Sequence, residues 1–166
     1  GWTTSLSLPG ALYYSSQAIV TKNRVYLLGG SNSGSVTSTV YTAPINQDGT
    51  LGTWSIGTPI PAALGLSSTV ITKNHVYLIG GYTTEAVSTV YSAIISGGLN
   101  DYSAYYAADD TNYLMPGSGR PWEQQYQINN LQTTNITNWV VTTSLPAALS
   151  SPQAVVTKNR VYLLGG

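Results

Sequence analysis

The chain has 166 residues with six basic and six acidic side chains, so its net charge is zero and it lacks the basic footprint of a nucleic-acid binder. It has no Cys, which excludes disulfides and thiolate metal sites, and no apolar run near the ~18 residues of a membrane-spanning helix. Polarity comes from 19 Ser and 21 Thr instead, and with 13 Tyr and 4 Trp this composition favours strands.

The N-terminus, Gly1-Trp2-Thr3-Thr4, lacks the basic start and apolar core of a signal peptide. It also lacks Met, so a processed chain or a segment of a longer one is expected. Leu8-Pro9-Gly10-Ala11-Leu12 follows. Ala18-Ile19-Val20-Thr21 reads as a strand, and Lys22-Asn23-Arg24 as a turn, since Asn tolerates left-handed backbone angles. Val25, Tyr26, Leu27 and Leu28 are apolar at consecutive positions. Side chains alternate across a strand, so both faces of this one are apolar and it should be buried on both sides. Gly29-Gly30 ends it. Residues 31–35 form a Ser/Gly/Asn loop, and Ser38-Thr39-Val40-Tyr41 begins a third strand. Asn46-Gln47-Asp48-Gly49 is a hairpin turn, because Asp-Gly supplies the positive φ such turns require. Residues 51–54, ending in Trp54, are predicted as a fourth strand.

The order then repeats. The quartet returns as Val76, Tyr77, Leu78 and Ile79 before Gly80-Gly81, and as Val161, Tyr162, Leu163 and Leu164 before Gly165-Gly166. Gly30 to Gly81 is 51 residues, Tyr41 to Tyr91 is 50, and Trp2 to Trp54 is 52. Trp54 to Trp139 is 85, so about 35 residues have been added to the second unit. Ile45 matches Ile95 and Leu51 matches Ile136, which places the addition at about 96–130, between strands three and four. Strand four of that unit is predicted at 135–139.

An apolar quartet, Gly-Gly, Tyr and Trp at a period near 50 resembles the kelch repeat. Three copies in register, with Tyr41, Tyr91, Trp54 and Trp139 in place, carry the resemblance over the whole chain except the insert. One departure is that Leu12, Leu64 and Leu149 stand where many kelch repeats have Arg. The wording Asp48-Gly49-Thr50-Leu51-Gly52-Thr53-Trp54 is similar to kelch-like arrays of bacterial and phage surface and tail-fibre proteins. The resemblance implies an all-β fold of consecutive four-stranded antiparallel blades in a β-propeller. Residues 1–17 would close a preceding blade, 18–54 form one blade, 69–139 a second that carries the insert, and 154–166 the first hairpin of a third. Such a partial propeller cannot close alone, so its partners would include further blades of a longer chain or other subunits.

Candidate chemistry is sparse. His75, the single His, takes the place of Arg24 and Arg160 at a turn, where a structural role is expected. One His and no Cys exclude a cross-linked copper-radical site in this segment. Asp48-Gly49 has the wrong spacing to Trp54 for a sialidase Asp-box, and Asn135-Ile136-Thr137 is a formal glycosylation sequon inside a predicted strand. No catalytic residue, metal ligand or cofactor motif is assigned. The insert holds the candidate contact residues Tyr102, Tyr105, Tyr106, Asp109, Asp110, Tyr113, Arg120, Trp122 and Glu123. Aromatic faces flanked by carboxylates suit sugar stacking, Tyr and Trp also suit a protein interface, and a merely structural loop is the third reading. Asp109 and Asp110 lack the spacing of a calcium loop. The insert leaves from the same end of the blade as the Lys-Asn-Arg turns, which carry five of the six basic residues. The reading is a non-catalytic propeller segment of an extracellular or virion-surface fibre or adhesin, probing a protein or glycan receptor. The alternative is an enzyme whose catalytic residues lie in blades outside this segment.

Overall fold

A computed structural model describes residues 4–14, 18–21, 23–72, 74–96, 135–157 and 160–166. Twelve strands lie among them. The first blade is built from β1 (Ile19–Val20), β2 (Arg24–Leu28), β5 (Val40–Pro44) and β6 (Ser55–Ile56), paired in that order. A small hairpin, β3 (Ser31–Asn32) and β4 (Ser35–Val36), projects between β2 and β5. The second blade contains β7 (Ser68–Ile71), β8 (His75–Ile79), β9 (Val90–Ser96) and β10 (Asn135–Val141), again in chain order. β11 (Gln153–Thr157) and β12 (Arg160–Leu164) form the last hairpin. Every pairing is antiparallel, so the architecture is all-β and made of consecutive four-stranded meanders.

Each blade starts with a turn closed by a threonine. Thr21 donates its N–H to Arg24 O at 2.9 Å and its hydroxyl to the same oxygen at 3.1 Å. Thr72 and its hydroxyl make the same pair of bonds to His75 O, at 2.9 and 3.4 Å, and Thr157 Oγ1 donates to Arg160 O at 3.3 Å. One carbonyl thus receives a backbone and a hydroxyl proton, which fixes the hairpin register.

The blades stack through their apolar faces. Ile19, Tyr26, Leu28 and Val40 of the first pack against Val76, Leu78, Ala93, Ile95 and Ile136 of the second, with Ile60 and Leu64 of the linker closing the seam. Val70, Ile79 and Val90 on the other face of the second blade meet Ala154 and Leu163 of the last hairpin, with Leu145 between. A carbonyl contact anchors each seam. Gly30 N donates to Leu64 O at 2.8 Å, and Gly81 N to Leu149 O at 2.7 Å. Gly29 (φ +61) and Gly80 (φ +60) must lack side chains, because an added Cβ would sit 2.1 Å from Leu64 O and 2.7 Å from Leu149 O. Leu64 itself is fully buried in the seam, so an apolar side chain there extends the core.

Two features differ from the sequence reading. Only the middle quartet is covered on both sides. Val25 and Leu27 are half-buried, and Val161, Tyr162 and Leu164 are 45, 47 and 59% exposed. The cause is neighbour supply: the 166 residues provide neither a third strand nor a following blade for the last hairpin. The fourth strand of the first blade also lies beyond Trp54, at Ser55–Ile56, not at 51–54. Pro44 has no N–H, and its ring would lie 2.6 Å from a Cβ at Gly52, so the ladder between β5 and this segment reduces to the Ile45–Leu51 bridge before resuming. Ile94 takes the place of Pro44 in the second blade, where β10 runs seven residues with a bulge between Thr137 and Val140. Trp54 Nε1 donates to Leu6 O at 3.2 Å, while its counterpart Trp139 packs on the first seam with Nε1 unpaired among the described residues.

In the 166-residue chain, Leu78→Ala should lower unfolding free energy by ~2–5 kcal/mol in denaturant titrations. Leu164→Ala should change it by no more than ~0.5 kcal/mol, since that side chain is exposed; equal losses would contradict the seam described here. Gly29→Ala should cost clearly more than Gly49→Ala. Both positions have positive φ, and only Gly29 has a neighbour within 4 Å of the added methyl.

Candidate functional site

Strand direction alternates along each meander, so the connections fall into two sets. One end of the array collects the β1–β2, β5–β6, β7–β8 and β9–β10 connections. The other collects the β2–β5 and β8–β9 loops and the linkers between blades. Ile45 N donates to Asn23 O and Ile95 N to Asn74 O, both at 2.8 Å, which ties the third strands to the turns of the first end. The insert springs from this end. Its roots, Ser96 and Asn135, are paired across β9 and β10, with Ser96 Oγ donating to Asn135 O at 3.3 Å. The insert itself lies outside the described residues, and so do Tyr102, Tyr105, Tyr106, Asp109, Asp110, Tyr113, Arg120, Trp122 and Glu123. Lys22, Lys73 and Lys158 lie outside them as well.

The described groups at this end hold one another. Arg24 Nε donates to Thr42 Oγ1 on the neighbouring strand at 2.8 Å. His75, at the matching position, places Nδ1 2.8 Å from Asn74 Oδ1 and stacks on Tyr77 with ring centroids 6.1 Å apart. No group of three His, Asp or Glu that could hold a metal gathers among the described residues. The Asp48 turn is closed by its own side chain: Thr50 donates its hydroxyl to Asp48 Oδ1 at 2.7 Å and its N–H to the same oxygen at 3.0 Å. These two bonds, the hydroxyl foremost, hold the Asp48 carboxyl below the ordinary carboxylate range. An open groove beside this turn is lined by Thr4, Ser5, Leu6, Gly49, Thr50 and Leu51.

The opposite end presents tyrosines that the sequence reading did not single out. Tyr13 and Tyr14 lie in the linker before the first blade and Tyr82 in the β8–β9 loop, all three exposed. Their signal was present: sister repeats have Gly65-Leu66 and Ser150-Ser151 where Tyr13-Tyr14 stand, so nothing in the fold demands aromatic side chains there.

Stacked four-stranded meanders with Gly-Gly at their seams and Tyr on the third strand are the blades of a kelch-type β-propeller, of which the chain forms two blades and the opening hairpin of a third. The chain is 24% identical over 140 residues to the kelch-like protein terF of Aspergillus terreus, an alignment covering 69% of this chain and 30% of that protein. It superposes on the structure of YjhT with a TM-score of 0.53 at 13% identity, covering 98% of this chain and 36% of that one. The chain therefore spans about a third of the length of either protein. No protein-family profile matches the sequence. Neither likeness bears on the nearer resemblance to bacterial and phage surface arrays.

The Asp48 turn gives a pH signature. A carboxyl with a lowered pKa contributes fully above the unfolded-state pKa and loses its contribution as pH falls through the lowered folded value. In an NMR titration the Thr50 amide should therefore shift with a midpoint below that of Asp in an unstructured peptide. A midpoint at the peptide value would show that the turn bonds are absent in solution.

Proposed function

We propose that this chain is part of a non-catalytic binding or structural propeller in an extracellular fibre or adhesin. The setting that suits it best is a phage tail fibre or bacterial surface protein, with a protein or glycan receptor as partner. The carrying observation is how the blades spend their apolar surface. Both faces of the middle blade are consumed by its neighbours, so what the array offers to a partner is its two ends. Those ends are built mainly from hydroxyl, amide and tyrosine side chains. Such loops on a stiff scaffold are the usual carriers of recognition. A neutral, Ser/Thr-rich β array also suits a fibre or surface protein. The insert, with its tyrosines, Trp122 and Asp109-Asp110, supplies a contact element at the first end.

The test is a saturation-binding assay of the labelled chain on a panel of bacterial strains, before and after protease or periodate treatment of the cells. Replacing residues 97–134 by a turn of the Asn46-to-Thr50 type should weaken binding about tenfold or more, as loss of an aromatic anchor does. Sensitivity to periodate identifies a glycan receptor and sensitivity to protease a protein one. Absence of saturable binding on every strain, or release of cleaved glycan by the chain, would overturn the non-catalytic binding reading.

A further inference from the structure

We propose that the end of the array opposite the insert carries a separate binding surface for a neutral carbohydrate, centred on Tyr14 and Tyr82. The proposal rests on the binding role proposed above and assigns it a ligand class and a place.

Tyr14, Leu66 and Ser151 occupy the same position in three successive units, and all three have positive φ, at 53, 54 and 56°. Non-glycine residues rarely adopt this conformation, and bulky ones less often still. Here a relay holds it: Leu66 N donates to Tyr14 O and Ser151 N to Leu66 O, each at 2.9 Å. The array fixes the main chain at these points and leaves the side chain unspecified, since Tyr, Leu and Ser all serve.

Tyr14 uses that freedom to present a ring. It is 62% exposed, and it stands edge-on to Tyr13 with centroids 5.1 Å apart and planes at 71°. Tyr13 is held in turn, because its Oη accepts the N–H of Gly34 at the tip of the β3–β4 hairpin. Tyr82, 41% exposed, arrives from the next loop. Its N–H and C=O are both paired with Gly65, at 2.8 and 3.0 Å. Tyr14 and Tyr82 are thus tied to adjacent residues of one linker, Gly65 and Leu66. The main chain that carries both rings is fixed by the fold before a ligand arrives, which lowers the cost of ordering on binding.

Comparison of the repeats points the same way. The turns at the first end keep Lys-Asn followed by Arg or His in all three units. The loops at the second end differ in both length and sequence: seven residues, Ser31-Asn32-Ser33-Gly34-Ser35-Val36-Thr37, against six, Tyr82-Thr83-Thr84-Glu85-Ala86-Val87. Duplicated units keep what the seam and turns require, and here they require only the backbone.

Chemistry selects the ligand. Among the described residues in the loops and linkers of this end, Glu85 is the single charged side chain. A polyanion or a polycation would find almost no counter-charge. A neutral sugar offers C–H faces to the tyrosine rings and hydroxyls to the Ser, Thr and Asn side chains around them.

The experiment is an array of neutral hexose and N-acetylhexosamine tetrasaccharides, printed beside sialylated and sulfated counterparts and probed with the 166-residue chain. The expected result is binding to at least one neutral glycan in preference to its charged forms. Tyr14→Ala and Tyr82→Ala should each weaken it about tenfold or more, while Tyr14→Phe keeps it within about threefold. Thermal melts of the same proteins check folding, and amide shifts on adding the bound glycan should cluster around Tyr14, Leu66 and Tyr82. Equal binding by Tyr14→Ala and Tyr82→Ala proteins, preference for charged glycans, or no neutral glycan bound would each overturn the proposal. Loss of binding on replacing 97–134 but not on changing the tyrosines would sink this site and leave the insert reading intact; the converse result separates them in the other direction.

Discussion

The contact on which everything else rests is small: the carbonyl of Leu64 over Gly29, taking the N–H of Gly30. A β-meander with apolar side chains on both faces cannot be stable alone, because it exposes at least one of them. Stability comes from laying one sheet on the next, and the Leu64 contact brings the linker close enough for the Leu64 side chain to enter the seam. The same arrangement recurs at Leu149 and Gly80-Gly81. A side chain at Gly29 or Gly80 would hold the linker off and open the core between the blades. Hydrophobic burial supplies the energy, and the pair of glycines decides whether the surfaces can meet.

Much of this was legible because the repeat reports on itself. Three apolar quartets ahead of Gly-Gly indicate buried strands ending at a close approach, and Asp48-Gly49 marks a tight turn. What was hidden depended on neighbours rather than local pattern. Val161, Tyr162 and Leu164 look as buried as Val25, Tyr26 and Leu28 in one dimension, yet their exposure is set by what lies beside them in space. Pro44 displaced the last strand of the first blade through a missing N–H on its pairing partner, an effect that periodicity does not carry. The double role of Thr21 and Thr72 at the turns was disguised by a composition in which threonine is everywhere. Tyr14 and Tyr82 escaped notice because an exposed aromatic in a linker breaks no pattern.

The two ends of the array divide the work between them. One end is bound by strand pairing and by polar bonds such as Arg24 to Thr42 and Thr50 to Asp48, and the long insert enters the fold there. The other is held by the blade-to-blade relay through Tyr14, Leu66 and Ser151. Because the relay uses main-chain groups only, the side chains at its three positions are free to differ, while Ile60 and Leu64 of the same linker fill the seam.

The seam also has a direction. Each blade shows its neighbour one face in front and a different one behind, and the hairpin of the third unit meets Val70 and Ile79 with Leu163, where the second blade meets Ile19 and Leu28 with Leu78. Val76 and Leu78 correspond to Val161 and Leu163 in the repeat register, so the two advancing faces are interchangeable in kind. The strand-and-glycine segments where they join are nearly identical in sequence. Such an array can lengthen or shorten by recombination between these segments, gaining or losing one whole blade at a time. Each event would join an old rear face to an equivalent front face, so blade number can change without a new interface having to be invented.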